Sequence, residues 1–207
     1  MRRFRVARMA TFQRLLQVDA NTRILDVGGT PGNWSLLAVC PRVTILNLPR
    51  AIERERDSPA WIFADGCQLP FRDQSFDVVF SNSVIEHLGN SVRHDQYAKE
   101  IARVGVRYFV QTPNRWFPVE PHLLTPLIHF LPRSWQKAVI EKFTIWEFVA
   151  RPRPDQRAFY LEHYLRDIQL LDSRAMRRLF PDSRLIRERF LGFTKSLIAV
   201  RLDKRMR

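Results

Sequence analysis

The chain has 207 residues, 45% of them hydrophobic, enough for one sizeable core and read as a single domain. No apolar run approaches the ~20 residues of a membrane span. The net charge of +13 sits at the two ends: residues 1–22 carry five basic groups against one acidic and 151–207 fifteen against seven, whereas 23–112 balance at ten each. A basic surface favours anionic partners such as phospholipid head groups or RNA. Here 29 of the 34 basic residues are arginine, a bias that GC-rich coding also produces, so nucleic acid is not the expected partner.

In chain order, residues 1–17 lack the apolar core and cleavage site of a secretory signal and are read as a first helix, although the acid-poor stretch also imitates a mitochondrial presequence. Ile24, Leu25 and Val27 make a short buried strand at about 23–27. It ends in Asp26-Val27-Gly28-Gly29-Thr30-Pro31-Gly32, with Asn33 expected to cap a helix over 33–40 that stops before Pro41. Strand, glycine loop and helix form the ligand-cradling corner of a doubly wound α/β fold. The spacing is G-G-x-x-G, and the carboxylate two residues before the first glycine would repel a pyrophosphate. A ligand with a cationic end suits it better.

Further strands are predicted at 43–46, 60–63, 76–80 and 106–110, with a short charged helix at 50–57 and a helix at 91–104. The alternation then breaks. Residues 113–165 hold seven of the thirteen prolines and three of the five histidines. A helix over about 172–180 and a hairpin of strands near 184–190 and 195–202 close the chain. Cys40 and Cys67 lack metal-ligand spacing and read as small apolar residues of a reduced, cytoplasmic compartment, so no metal site is expected.

Four motifs stand in order along residues 22–112. They are Leu25-Asp26-Val27-Gly28-Gly29-Thr30-Pro31-Gly32, Phe63-Ala64-Asp65-Gly66-Cys67, Val78-Val79-Phe80-Ser81-Asn82-Ser83, and Ile85-Glu86-His87-Leu88. Together they resemble the class I S-adenosylmethionine-dependent methyltransferases, in particular the small-molecule branch related to quinone and sterol methyltransferases. The resemblance implies one domain over 1–207 with a mostly parallel, doubly wound, seven-stranded sheet. It assigns 22–112 to a cofactor-binding half, 113–165 to an insertion or lid after strand five, and 166–207 to a C-terminal helix and hairpin. It implies S-adenosyl-L-methionine as cofactor, held by Asp26 near the methionyl amino group and by Gly28, Gly29 and Gly32 at the ribose and carboxylate. Asp65 would take the adenine amino group with Gly66 and Cys67 beside it, and Ser81 and Asn82 would line the methionyl end.

One position departs from the family. Where an acidic residue usually takes both ribose hydroxyls, this chain has Asn47. An amide still bonds both hydroxyls but gives up the charge-assisted part, about twice as strong as a neutral bond, which predicts weaker cofactor affinity.

Methyl transfer needs alignment more than acid–base chemistry, because a sulfonium is already activated. A base helps when the acceptor must lose a proton. His87, beyond strand four, is the first candidate, with Glu86 read as structural. Glu120 and His122, in the proline-stiffened loop after strand five, are the second; a packing role for each histidine stays open. The apolar stretches 123–132 and 143–149, bordered by Arg133, Lys137 and Lys142, suit a lid over a greasy acceptor resting against an anionic membrane, or plain core. The reading is methyl transfer to a small or lipid-like acceptor. The alternatives are an RNA-binding or RNA-modifying protein and a non-catalytic methyltransferase-fold scaffold. No RNA-recognition repeat and no Pro-Pro-aromatic segment after strand four supports the RNA readings.

Overall fold

The computed structural model describes residues 2–48 and 60–203. The charged helix expected at 50–57 lies outside them, as do Arg205 and Arg207. The described elements are helix α1 (Arg2–Leu16), strands β1 (Arg23–Val27), β2 (Arg42–Asn47), β3 (Ala60–Phe63) and β4 (Phe76–Asn82), helix α2 (Ser91–Val104) and strand β5 (Gly105–Pro113). Then come the short strands β6 (Val119–Glu120) and β7 (Thr125–Pro126), helices α3 (Arg133–Lys142), α4 (Ile145–Ala150), α5 (Pro154–Asp167) and α6 (Ser173–Leu179), and strands β8 (Arg184–Phe190) and β9 (Phe193–Arg201).

Seven strands form one sheet in the order β3-β2-β1-β4-β5-β9-β8. The pairs from β3 to β5 are parallel, while β9 runs antiparallel to both β5 and β8. The terminal hairpin turns through Leu191 and Gly192, both at positive φ (48° and 82°), the backbone twist a two-residue hairpin needs. No helix among the described residues is long and apolar enough to cross a membrane.

Strand alternation sorts the core into two faces. Leu25, Val27, Val79, Tyr108, Val110, Leu197 and Ala199 pack with Tyr97, Ile101, Val104, Met176 and Phe180 on the α2–α6 face. Ile24, Val78, Phe80, Phe109, Ile198 and Val200 pack with Met9, Phe12 and Leu16 of α1. Phe12 is fully buried, with its ring edge-on to Phe80 at 5.0 Å and Phe109 at 5.4 Å.

The helix expected over 33–40 is not there. Residues Pro31–Leu36 make a 3-10 turn, and Thr30, not Asn33, stands at its N-cap position without a side-chain cap. The reason is that α1 already covers this face of the sheet, and Trp34 drops into it between Phe12 and Phe80. Pro31 and Pro41 bracket a segment whose Gly32, Asn33 and Ser35 are poor helix formers. Residues 114–165 give no strand to the seven-stranded sheet and build a satellite cluster of Leu123, Ile128, Ile140, Leu161 and Tyr164.

Candidate active site at the carboxyl edge

Two cavities open at the carboxyl ends of the parallel strands, and Ser83 and His87 belong to both. The first, of about 300 Å³, is walled by Gly28, Asn47, Asp65, Gly66, Val84 and Arg93, among others. The second, of about 320 Å³, lies between Arg8, Asn82, Gln111, His122 and Lys195, with Phe4 and Phe117 as apolar wall. A third cavity, between Arg115, His129, Arg133, Tyr164 and Gln169, shares no lining residue with these two.

Close backbone packing shapes the first cavity. Gly28 has φ +74°, and a Cβ there would fall 2.5 Å from Val84 Cγ2; at Gly66 a Cβ would fall 2.7 Å from the Tyr97 ring. Asn47 donates through Nδ2 to Gly29 O at 3.2 Å and accepts from Leu48 N at 2.9 Å. Each group keeps one further hydrogen-bonding site free for a ligand hydroxyl. Asp65 accepts from Cys67 N at 2.9 Å and from Arg93 at 3.0 Å on both oxygens. Burial acts against its ionised form, but these donors win and hold its carboxyl below the usual range.

Strand alternation takes other expected residues away from the cavity. Asp26 shares a face with Ile24, on the α1 side. It is fully buried, accepts from Trp34 Nε1 at 2.9 Å through Oδ2, and leaves Oδ1 without a partner. Burial outweighs the Trp34 N–H and pushes its carboxyl up to about 8, so at neutral pH it is mostly uncharged. Gly29 closes over it, since a Cβ there would fall 1.9 Å from Asp26 Oδ2. Asp26 thus supports the loop from below and does not line the cavity, because Trp34 and Gly29 stand over it. Gly32 faces open space. Cys67 is half-buried, with its thiol pushed up to about 11 chiefly by burial.

Along β4 the same rule separates Ser81 from Asn82. Ser81 points to the α2 face, buried, with Oγ 2.7 Å from Tyr97 OH. Asn82 points to the α1 face and into the second cavity, where its Oδ1 accepts from Arg8. Arg8 also donates to Gln111 Oε1 at 3.0 Å and pairs with Glu188 through two bonds of 2.9 and 2.6 Å. Ser83 has φ +57°, a left-handed position uncommon for serine, and is held by Gln111 through its N–H and its hydroxyl, both at 3.0 Å.

Between the cavities stands a row of three histidines. His87 Nδ1 lies 3.4 Å from His163 Nε2, and His87 Nε2 lies 3.3 Å from His122 Nε2. Each outer ring is anchored by a carboxylate: His122 Nδ1 by Glu120 Oε1 and His163 Nδ1 by Asp167 Oδ2, both at 2.7 Å. Glu120 is fully buried and its Oε2 also accepts from the backbone N–H of His122 at 2.8 Å. Burial, then the neighbouring His122 and His163, push His87 down to about 4, a neutral imidazole. Burial opposes the charged form of His122 too, yet Glu120 raises it above its ordinary value. Glu86, read from sequence as structural, is fully buried beside them.

Of the sequence-derived candidates, Gly28, Asn47, Asp65, Gly66, Asn82, His87 and His122 line the two cavities. Asp26, Gly29, Gly32, Cys67, Ser81 and Glu120 do not. Arg8, Arg93, Gln111, His163, Asp167 and Lys195 were not foreseen. Only contacts across long stretches of chain bring them in, and arginine abundance at the ends hid Arg8.

Residues 25–106 match the family model described as a methyltransferase domain. A search of curated proteins found no match. Among solved structures, a chain of the complex between the Haloferax volcanii Trm112 methyltransferase activator and the putative methyltransferase aligns at 16% identity and a TM-score of 0.55, covering 96% of this chain and 89% of that one. Geranyl diphosphate C-methyltransferase from Streptomyces coelicolor A3(2), in complex with Mg2+, geranyl diphosphate and S-adenosyl-L-homocysteine, aligns at 13% and 0.55, covering 96% and 79%. A structure described as putative Zn-dependent alcohol dehydrogenases from Rhodobacter sphaeroides aligns at 10% and 0.58, covering 93% and 87%. At these identities the likeness is one of fold.

The fold is that of the class I S-adenosylmethionine-dependent methyltransferases, and the resemblance read from the four motifs is borne out. Within it, residues 25–106 carry the match to the methyltransferase-domain family. That family implies S-adenosylmethionine as cofactor, and the first cavity fits an adenosyl group. Gly28 and Gly66, lacking a Cβ, let Val84 and Tyr97 pack close beside the cavity, and Asn47 and Asp65 present polar groups on its wall.

Proposed function

We propose that this chain transfers a methyl group from S-adenosylmethionine to a small or lipid-like acceptor by in-line displacement. The observation that carries the reading is His87, which faces the first cavity and the second at once. Asn47 would hold the ribose, Asp65 and Gly66 the adenine, and Gly28 the chain between them. Bound there, the cofactor supplies a methyl group already activated by its sulfonium.

The protein's own part is to place the acceptor and receive its proton. His122, backed by the buried Glu120, is suited to be that base, and His87 to align the nucleophile. Phe4, Phe117 and Pro121 would pack an apolar tail while Arg5 and Lys195 meet an anionic head. Geranyl diphosphate, the acceptor in one structural relative, is a molecule of that kind. Residues 113–165 would act as a lid over this cavity.

Exposed Trp135, Phe148 and Phe159 stand on the insertion with Lys137 and Lys142, a composition suited to peripheral contact with an anionic membrane. The deciding experiment is incubation with methyl-labelled S-adenosylmethionine and fractionated extract. Label in a lipid or small-molecule fraction supports the reading, label in RNA moves the substrate class, and no label in any fraction leaves the scaffold alternative.

A further inference from the structure

We infer that Glu86, His87 and His122 form a binding site for one divalent transition-metal ion of the zinc type. The argument starts from where the protons sit. A carboxylate only accepts, so Asp167 fixes the proton of His163 on Nδ1, 2.7 Å away, and Glu120 likewise fixes that of His122 on Nδ1. His163 Nε2 is then an acceptor, and the proton of neutral His87 belongs on Nδ1, facing it at 3.4 Å. With both rings neutral the two remaining Nε2 atoms carry lone pairs and face each other at 3.3 Å, so that a cation, a proton or a metal ion, belongs between them.

The third group is Glu86. It is fully buried, Thr112 Oγ1 holds its Oε2 at 2.9 Å, and its Oε1 has no hydrogen-bond partner. One donor atom from each of Glu86, His87 and His122 lies within 4.8 Å of the other two. Three acceptors converging in a buried site need protons or a metal ion among them, and a single metal ion satisfies all three at once. Bonds of about 2.0–2.1 Å to a tetrahedral zinc put its ligands about 3.3 Å apart, the spacing of the two ring nitrogens already.

Two imidazoles and one carboxylate are the donor set of zinc and its neighbours, not of magnesium or calcium. Glu120 orients the His122 ring directly, as carboxylates bonded to metal-bound histidines do, and Asp167 acts on His87 one step removed, through His163. Three protein ligands leave a position open. Since His87 and His122 both line the second cavity, that position would take an oxygen or nitrogen donor from whatever occupies it. With the ion in place these imidazoles hold it and neither serves as a base. The site stands on this geometry whether or not the chain transfers methyl groups.

The test is a titration of the metal-free full-length chain with Co2+, followed by its visible absorption, and with Zn2+ in competition. A Cys40→Ser background removes the exposed thiol. One equivalent should bind with the spectrum of low-coordinate nitrogen and oxygen ligation. Glu86→Gln and His122→Ala should lose it, Asp167→Asn should weaken it by less than the ~10–100-fold typical of a group bonded directly to a ligand, and His129→Ala should leave it unchanged. Asp167 is partly exposed, so its variant keeps the test open if a core variant fails to fold. No bound equivalent, or equal uptake by wild type, Glu86→Gln and Asp167→Asn, would overturn the site and leave a shared proton as the cation. Binding of S-adenosyl-L-homocysteine by the same samples is measured separately, so loss of the metal reading and of the methyltransferase reading are told apart.

Discussion

Asp26 and Asn47 show how a single side chain can depart from a motif's usual part. In the free protein Asp26 holds its proton up to about pH 8, whereas its ordinary value is 3.8. Between those values the folded state keeps a proton that the unfolded state has released. Stability therefore falls as pH rises through this window, by up to about 1.4 kcal/mol per pH unit, and levels off above it. Asp26→Asn should remove that contribution, read as a flatter pH dependence of urea midpoints; equal slopes would mean that Asp26 is ionised in the fold. Asn47→Asp should tighten cofactor binding a few-fold by restoring a charge-assisted bond, while lost donation to Gly29 O costs about 1 kcal/mol of stability. Calorimetry with S-adenosyl-L-homocysteine, paired with thermal melts, separates the two effects. Gly28→Val should abolish that binding, since its Cβ would strike Val84 and its φ of +74° strains any side chain.

Among the elements, α1 and the insertion do the work that sequence patterning could not assign. Helix α1 roofs one sheet face through Phe12, so Phe12→Ala should destabilise the protein by about 3–5 kcal/mol in denaturant titrations. The same helix brings Arg8 to Asn82 and Gln111, which ties the start of the chain to the second cavity. The insertion brings Glu120, His122 and His163 to His87. If 113–165 opens as a lid, limited proteolysis should cut there first in the free protein and slow on adding S-adenosyl-L-homocysteine with an acceptor. Cuts confined to the chain ends would argue for a fixed wall.

For the molecule as a whole, the two cavities give separable expectations. His122 lines only the second, so His122→Ala should lower turnover and leave cofactor affinity nearly intact. His87 lines both, so His87→Ala should change both. Much of the basic excess is spent on internal bonds: Arg201 caps the carbonyls of Ala102, Gly105 and Val106, and Arg157 reaches those of Ile140 and Glu141. Surface attraction should then come mainly from unpaired groups such as exposed Arg3 and from Lys142 on the insertion. Reversing these charges should weaken sedimentation with anionic vesicles at low salt, and the difference should vanish at high salt. Vesicle binding unaffected by these changes would leave the exposed aromatics as the anchor.

The βα rhythm, the four motifs, helix 91–104 and the terminal hairpin were legible in the chain, because strand and helix periods and glycine turns are local properties of residues a few positions apart. The resemblance to the methyltransferases followed from them, and so did the candidacy of Asn47, Asp65, His87 and His122. Which face each residue takes was decided by the tertiary structure. Asp26 and Val27 are neighbours in sequence, yet the pleat sends one under Trp34 and the other to the cavity wall. The helix expected over 33–40 yielded to α1, since a sheet face can be covered only once. The convergence of Glu86, His87 and His122, anchored by Glu120 and, through His163, by Asp167, spans residues 86–167. No local pattern encodes it, because each pairing exists only after the insertion has folded back over the carboxyl edge of the sheet.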